Sequence, residues 1–154
     1  MLSIKRILWP TDFSEPSYRA LRAAEELAQN FSAELVVLHV VPPIPVMPTG
    51  GSLEGIFSAS YPLEMESQAR EALRKVVEQN ISGETRAEAL VVHGNVAGEI
   101  VNVANKENVD LIVMATHGTT GWQRFVFGSV AEKVIRMAHC PVLSIQFPPE
   151  EREE

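Results

Sequence analysis

The stretch 34-ELVVLHVV-41 is the strongest indication of the fold class, because six of its eight residues are apolar and four of them are valine. A strand that is buried on both faces forms such a continuous run, whereas a strand with one solvated face alternates apolar and polar residues. Burial on both faces is typical of a parallel sheet with helices on its two sides. The run stops at Pro42-Pro43, because proline cannot continue a central strand.

Outward from this strand, short apolar runs alternate with helical patterns. The other predicted strands are 4–10, 86–94, 109–116 and 140–147. Apolar residues recur at helical spacing in four segments: 14–31, 63–81, 96–108 and 129–139. This alternation predicts an α/β fold, a single doubly wound five-stranded parallel sheet of Rossmann-like type with four helices.

The chain of 154 residues has the length of one domain, which we place at residues 1–147. Within it, residues 42–62 lose periodicity and are rich in proline and glycine, which predicts a flexible loop. The acidic end 149-PEEREE-154 lies in a predicted tail that spans residues 148–154.

Composition narrows the class of protein. The formal net charge is −7 and no basic cluster is present, which argues against a nucleic-acid partner. The single cysteine, Cys140, excludes an intramolecular disulfide, and a buried strand start favours packing over thiol reactivity. No signal-peptide pattern and no apolar stretch of about 18 residues occurs, so we expect a soluble cytoplasmic protein without a membrane partner.

Two strand ends carry unusual residues. In a doubly wound sheet, ligands bind beyond the carboxyl ends of the strands, where the strand order reverses. The first predicted strand is followed by 9-WPTDFS-14, in which Thr11 and Asp12 either contact a ligand or only cap the next helix.

The fourth predicted strand is followed by 115-ATHGTTGWQRFVFGSVAEKV-134. Gly118 and Gly121 allow a ligand to approach the main chain, and Ser129 with Glu132 matches an S-x-x-E capping box at a helix start. Such a helix start suits an anion such as phosphate. The alternative is that the glycines serve only the turn and the box only the helix. Neither the P-loop nor the G-x-G-x-x-G motif is present.

The four histidines show no metal-ligand spacing. His117, inside the glycine-rich loop, either donates to a ligand or braces the loop. His39 and His93 end predicted strands, and we interpret both as structural. Asp12 is the best candidate for contact with a ligand or a metal-bound water.

The glycine-rich loop is similar to the G-x2-G-x9-G-[ST] signature of nucleotide-binding universal stress proteins. Gly118 and Gly128-Ser129 keep the spacing, and Ala115 replaces the first glycine. The chain resembles this family over most of its length. The other matching segments are 10-PTD-12, 39-HV-40, 94-GNVAGEIV-101 and 128-GSVAEKVIRMAHCPVLSI-145.

The resemblance implies strand order 3-2-1-4-5, an ATP site with Mg held through the phosphates, and a homodimer formed through the last strand. The base and ribose would lie against Pro10, Thr11, Asp12 and the main chain of Val40. Ribose and phosphates would be surrounded by Ala115, Thr116, His117, Gly118, Thr119, Gly128, Ser129, Val130 and Ala131.

Three hypotheses on function follow. The first is an adenine-nucleotide-binding module that signals in the stress response. The second is a slow ATP hydrolase or phosphoryl-transfer protein, which the loop supports poorly because it lacks a lysine, a general base and a second carboxylate. The third is a nucleotide-free interaction protein, which applies if the methyl group of Ala115 crowds a phosphate.

Overall fold

The computed structural model describes residues 3–44, 61–117 and 128–146. Five strands form one parallel sheet in the order β3-β2-β1-β4-β5, and four helices connect them, which confirms the predicted fold. The strands are β1 (Arg6–Pro10), β2 (Glu34–Val41), β3 (Ala87–His93), β4 (Leu111–Ala115) and β5 (Val142–Ile145). The helices are α1 (Glu15–Phe31), α2 (Tyr61–Asn80), α3 (Val96–Lys106) and α4 (Ser129–Met137).

Two apolar layers cover the sheet. The alternation of side chains sends Ile7 and Trp9 of β1 to one face, where α1 and α2 pack, and Leu8 to the other, where α3 and α4 pack. All three side chains are fully buried. The interior of β2 is buried on both faces, as its continuous apolar run predicts. Among the described helices, none combines the length and the hydrophobicity that a membrane span requires.

The helix starts differ in how well the sequence predicts them. Ser14 caps α1 through its side chain, as expected, by accepting a hydrogen bond from the amide of Ser17. Helix α2 begins at Tyr61, two residues earlier than predicted, because Pro62 is tolerated in a first turn whose amides lack intrahelical partners anyway. Of the predicted loop 42–62, residues 42–44 have no helix or strand, residues 45–60 lie outside the described residues, and so does the predicted tail.

Arg6 ties together the amino-terminal ends of the strands. Its guanidinium pairs with Glu34 of β2 at 3.2 Å, Glu88 of β3 at 3.1 Å and Glu107 after α3 at 3.0 Å. Its Nε atom lies near Glu34 without hydrogen-bond geometry, so that contact is an ion pair only. This charged cluster stabilises the end of the sheet that is opposite to the carboxyl ends of the strands.

A crevice opens where the strand order reverses, between β1 and β4. Strand β1 pairs with β2 along its whole length, up to Pro10 with Leu38. With β4 it pairs only at Ile7 and Leu8. The carboxyl ends of β1 and β4 therefore separate at the position where doubly wound sheets bind ligands.

Candidate functional site

A cavity of about 350 Å³ lies at this crevice, a volume within the range of small-molecule sites. The structure brings together at this cavity all the predicted site residues that it describes: Pro10, Thr11, Asp12, Val40, Ala115, Thr116, His117, Gly128, Ser129, Val130 and Ala131. The two others, Gly118 and Thr119, lie outside the described residues, together with the rest of the loop up to residue 127.

One wall of the cavity was missed by the sequence reasoning. It is apolar and includes Val96 and Ile100 of α3 and Met114 of β4. The sequence marks these residues only by their place in the elements: Met114 lies near the end of a strand, and Val96 begins a helix that follows β3. An apolar wall of this kind suits a flat ring such as a nucleobase.

The turn between β1 and α1 is built on Thr11. The buried Thr11 donates its amide to the carbonyl of Leu38 at 2.8 Å. Its Oγ1 accepts the amide of Phe13 at 2.9 Å and shares a 2.7 Å hydrogen bond with the hydroxyl of Ser17. The exposed Asp12 accepts the amide of Ser14 through Oδ1 at 3.0 Å. The residues that shape the turn therefore also line the cavity, so capping and ligand binding are compatible here.

The main chain of Val40 faces the crevice. Along a strand of a parallel sheet, successive residues direct their N–H and C=O groups to alternate sides. In β2, the carbonyl of Leu38 bonds to Thr11 on the β1 side, and the carbonyl of Val41 bonds to Gly94 on the β3 side. The groups of Val40 therefore face the β1 side, beyond Pro10, where the pairing of β1 with β2 has ended.

The start of α4 corrects the predicted capping box. Ser129 is the first helical residue rather than the cap, and the cap position is Gly128, which provides no side-chain hydrogen bond. The Ser129–Glu132 spacing is thus one residue out of register for a capping box. As a consequence, the residue at the cap position gives the first amides of α4 no side-chain hydrogen bond, and this end of the helix lines the cavity through Ser129, Val130 and Ala131.

Gly128 is held tightly against the end of β4. Its amide donates to the carbonyl of Thr116 at 2.7 Å. A Cβ atom at this position would lie 2.8 Å from the same oxygen, closer than such atoms approach. Only glycine therefore allows the start of α4 to lie this close to β4.

Thr116 and His117 form a second polar group at the end of β4. The hydroxyl of Thr116 donates to the carbonyl of Ile145 at 3.4 Å and lies 2.9 Å from Nδ1 of His117. The other ring nitrogen, Nε2 of His117, is buried and has no hydrogen-bond partner among the described residues. A buried polar atom without a partner in a cavity is suited to contact with a ligand.

Ala115 ends β4 in an ordinary extended conformation, since it is not among the described residues with positive φ. Its methyl group therefore adds no backbone strain in place of the first glycine of the signature.

The electrostatics of the site are simple. Asp12 is the only carboxylate among the described residues that line the cavity, and no group of three potential metal-ligating side chains occurs in the described part of the chain.

Elsewhere, burial raises the pKa of the Cys140 thiol, which favours the unreactive protonated form. His93 lies exposed at the end of β3, 3.0 Å from a carboxylate oxygen of Glu66.

Known proteins share both sequence and fold with this chain. Universal stress protein MJ0531 of Methanocaldococcus jannaschii is 39% identical over 149 residues, which cover 96% of this chain and 85% of that protein. The solved structure of MJ0577, from the same organism, has a TM-score of 0.80 at 27% identity and covers 96% of this chain and 99% of its own.

A universal stress protein from Archaeoglobus fulgidus, solved in complex with dAMP, has a TM-score of 0.60 at 23% identity, with 94% of this chain and 99% of its own covered. At that identity the likeness shows a shared fold. The sequence pattern of the universal stress protein family itself matches residues 3–146. The chain therefore belongs to the universal stress protein family.

Proposed function

We propose that this protein binds an adenine nucleotide, ATP with Mg, and that occupancy of the site acts as a signal in the stress response. The observation that carries the proposal is the meeting of two main-chain binding elements at one cavity. The main-chain groups of Val40 and the start of α4 both line this cavity.

The groups at Val40 suit adenine. The Watson–Crick edge of adenine has an acceptor, N1, beside a donor, the N6 amino group, which complements an N–H and a C=O of one strand residue. The apolar wall with Val96, Ile100 and Met114 would cover the faces of the ring. The universal stress protein of Archaeoglobus fulgidus that shares this fold was solved with dAMP, an adenine nucleotide, which supports the adenine class.

The start of α4 suits phosphate. The first amides of a helix lack intrahelical partners and lie at the positive end of the helix dipole. Gly128 at the cap position has no side chain that could bond these amides, which suits the binding of an anion. Nε2 of His117, which has no partner among the residues the structure describes, suits a ribose hydroxyl, because a hydroxyl both donates and accepts hydrogen bonds.

The same residues argue against fast ATP hydrolysis. With Asp12 as the only carboxylate among the described lining residues, Mg would be held mainly through the phosphates. A second carboxylate or a general base beside the phosphates is what phosphoryl transfer would require. We therefore favour binding with slow turnover over an enzymatic role.

Dimerisation through β5 completes the proposal. Carbonyls of Pro141 and Ile145 bond to β4, so by alternation the main-chain groups of Val142 and Ser144 lie on the open edge of the sheet. Leu143 on the same strand is 39% exposed. An open edge beside an exposed apolar side chain favours pairing with a second copy about a two-fold axis.

Isothermal titration with ATP, ADP and AMP, each with and without Mg, tests the nucleotide site. We expect binding below millimolar concentration, weakened about tenfold in Asp12→Ala, which removes one charged hydrogen-bonding group. Release of an adenine nucleotide on denaturing protein that was purified without added nucleotide would support the proposal independently. The absence of binding at millimolar nucleotide would favour the nucleotide-free interaction protein.

Hydrolysis is tested by single-turnover measurement with the ATP complex. We expect decay close to that of free ATP. Turnover well above this background that is lost in Asp12→Ala would support the slow hydrolase instead.

A further inference from the structure

The turn between β1 and α1 contains a residue in an unfavourable conformation. Phe13 has a φ of 61°, in the left-handed region that bulky side chains avoid. The other described non-glycine residues with positive φ, Ser32 and Asn108, follow the ends of α1 and α3, where left-handed residues are common. Phe13 instead precedes a helix, directly after Asp12, so other contacts must hold it.

Those contacts converge on His39 of β2. Its Nδ1 lies 2.8 Å from the carbonyl of Thr11, and because a carbonyl only accepts, Nδ1 carries the proton and donates. The imidazole also stacks on the ring of Phe13, with the ring centroids 4.6 Å apart and the planes 34° from parallel. One side chain therefore holds both neighbours of Asp12 in the chain.

The side chain of His39 has no other hydrogen bond within the described part of the chain, and it is half-buried where it lines the cavity. The next residue along β2 is Val40, whose main chain faces the same crevice. The contacts of His39 thus fix the position of the Asp12 turn relative to the strand that would read the base.

We propose that His39 is a positioning residue of the nucleotide site: it holds the Thr11–Phe13 turn so that Asp12 can reach the ligand. This inference rests on the proposed nucleotide binding and adds the residue that sets its geometry. His39 acts through Asp12, so its contribution to affinity exists only while the Asp12 carboxylate is present.

Two substitutions, His39→Asn and His39→Gln, distinguish the effect of the hydrogen bond to Thr11 from that of any polar side chain at this position. In His39→Asn, the amide nitrogen lies as many bonds from the backbone as Nδ1, so it can still donate to the Thr11 carbonyl. In His39→Gln, the amide lies one bond further away, and both variants lose the stacking on Phe13. We expect nucleotide affinity to fall about fivefold to tenfold in His39→Gln and less than about threefold in His39→Asn.

A double-mutant cycle with Asp12→Ala tests whether His39 acts through Asp12. We expect the loss caused by His39→Gln to shrink to less than about twofold once Asp12 is alanine. An equal fold-loss in both backgrounds would show that His39 contributes independently of Asp12 and would overturn the inference. So would unchanged affinity in the single His39→Gln variant. Circular dichroism confirms that each variant is folded.

Hydrogen exchange in the nucleotide-free protein tests the role of His39 independently of whether a nucleotide binds. The amide of Phe13 donates to Thr11 Oγ1, and we expect it to exchange faster in His39→Gln than in the unsubstituted protein. An unchanged rate would refute the role of His39 even if the nucleotide binds. If no adenine nucleotide binds but this amide loses protection, the proposed ligand is wrong and His39 still holds the turn.

Discussion

At the scale of single residues, Gly128 joins fold and function most directly. Its missing Cβ lets the start of α4 lie against the carbonyl of Thr116, with the amide 2.7 Å from that oxygen. The same contact places the first amides of α4 at the cavity. A change at this position should therefore affect stability and nucleotide binding together.

We predict that Gly128→Ala lowers the free energy of unfolding by about 1–3 kcal/mol, the usual cost of forcing an extra carbon into a packed site. Its Cβ would lie 2.8 Å from a backbone oxygen, which side-chain rotation cannot relieve. Urea unfolding measures the stability change, and calorimetric titration measures a parallel loss of nucleotide affinity.

The matched control is Gly83→Ala, because a Cβ at Gly83 meets no atom within 4 Å. We expect its stability to stay within about 0.5 kcal/mol of the unsubstituted protein, with unchanged affinity. Equal effects of the two substitutions would contradict a special role for Gly128.

A substitution at Ala115, unlike one at Gly128, is expected to have little effect. Because it has no positive φ, restoring the glycine of the family signature should relieve no strain. We predict that Ala115→Gly changes nucleotide affinity less than about threefold in a calorimetric titration. A large gain in affinity would show that the methyl group obstructs a phosphate.

At the scale of elements, a hydrogen bond between Glu66 of α2 and His93 joins α2 to the end of β3. The pKa of Glu66 on α2 is lowered, first by its hydrogen bond from Arg70 and then by that from His93. Because the pKa of Glu66 is lower in the folded state, its ionisation stabilises the fold at pH values above the usual glutamate pKa. This stabilisation is lost as the pH falls through the folded-state pKa.

We predict a pH-dependent difference in thermal stability between the unsubstituted protein and Glu66→Gln. The difference in thermal stability should be present at about pH 6 and should shrink towards about pH 3, where the carboxylate becomes protonated. Thermal unfolding at intermediate pH values measures it. Because Glu66 is solvated, the effect is small, and a difference that stays constant across this range would refute the attribution to Glu66 ionisation.

At the scale of the whole molecule, the two edges of the sheet differ. The edge at β5 has Leu143 exposed, whereas the edge at β3 carries the exposed and charged Glu88, which discourages pairing. A second copy is therefore expected at β5.

We predict that Ser144→Pro converts a dimer into a monomer, measured by sedimentation or light scattering. By alternation the amide of Ser144 faces the open edge, so proline removes a donor of the intermolecular pairing and none of the bonds to β4. The matched control is Ala89→Pro, because the amide of Ala89 faces the open edge of β3 by the same alternation, and it should leave the dimer intact. A monomeric unsubstituted protein would refute the proposed assembly.

The order of the helices and strands and the class of the sheet follow from the amino-acid sequence alone. Hydrophobic periodicity is a local property, and the predicted bounds of strand 34–41 agree with those of β2 at both ends. The predicted site residues follow strand ends, and parallel strands bring their carboxyl ends to one edge of the sheet. Most of the candidate site was therefore accessible from the chain alone.

Which groups are available at that edge depends on contacts between residues that are distant in the sequence. The cap of α4 lies at Gly128 rather than Ser129 because contact with Thr116 from another element outweighs a local capping pattern. His39 and Thr11 are 28 residues apart, so no local spacing reveals their contact. The direction of the main chain of Val40 depends on which strand its neighbours pair with. Periodicity places residues along an element, but long-range packing decides what each side chain and amide contacts.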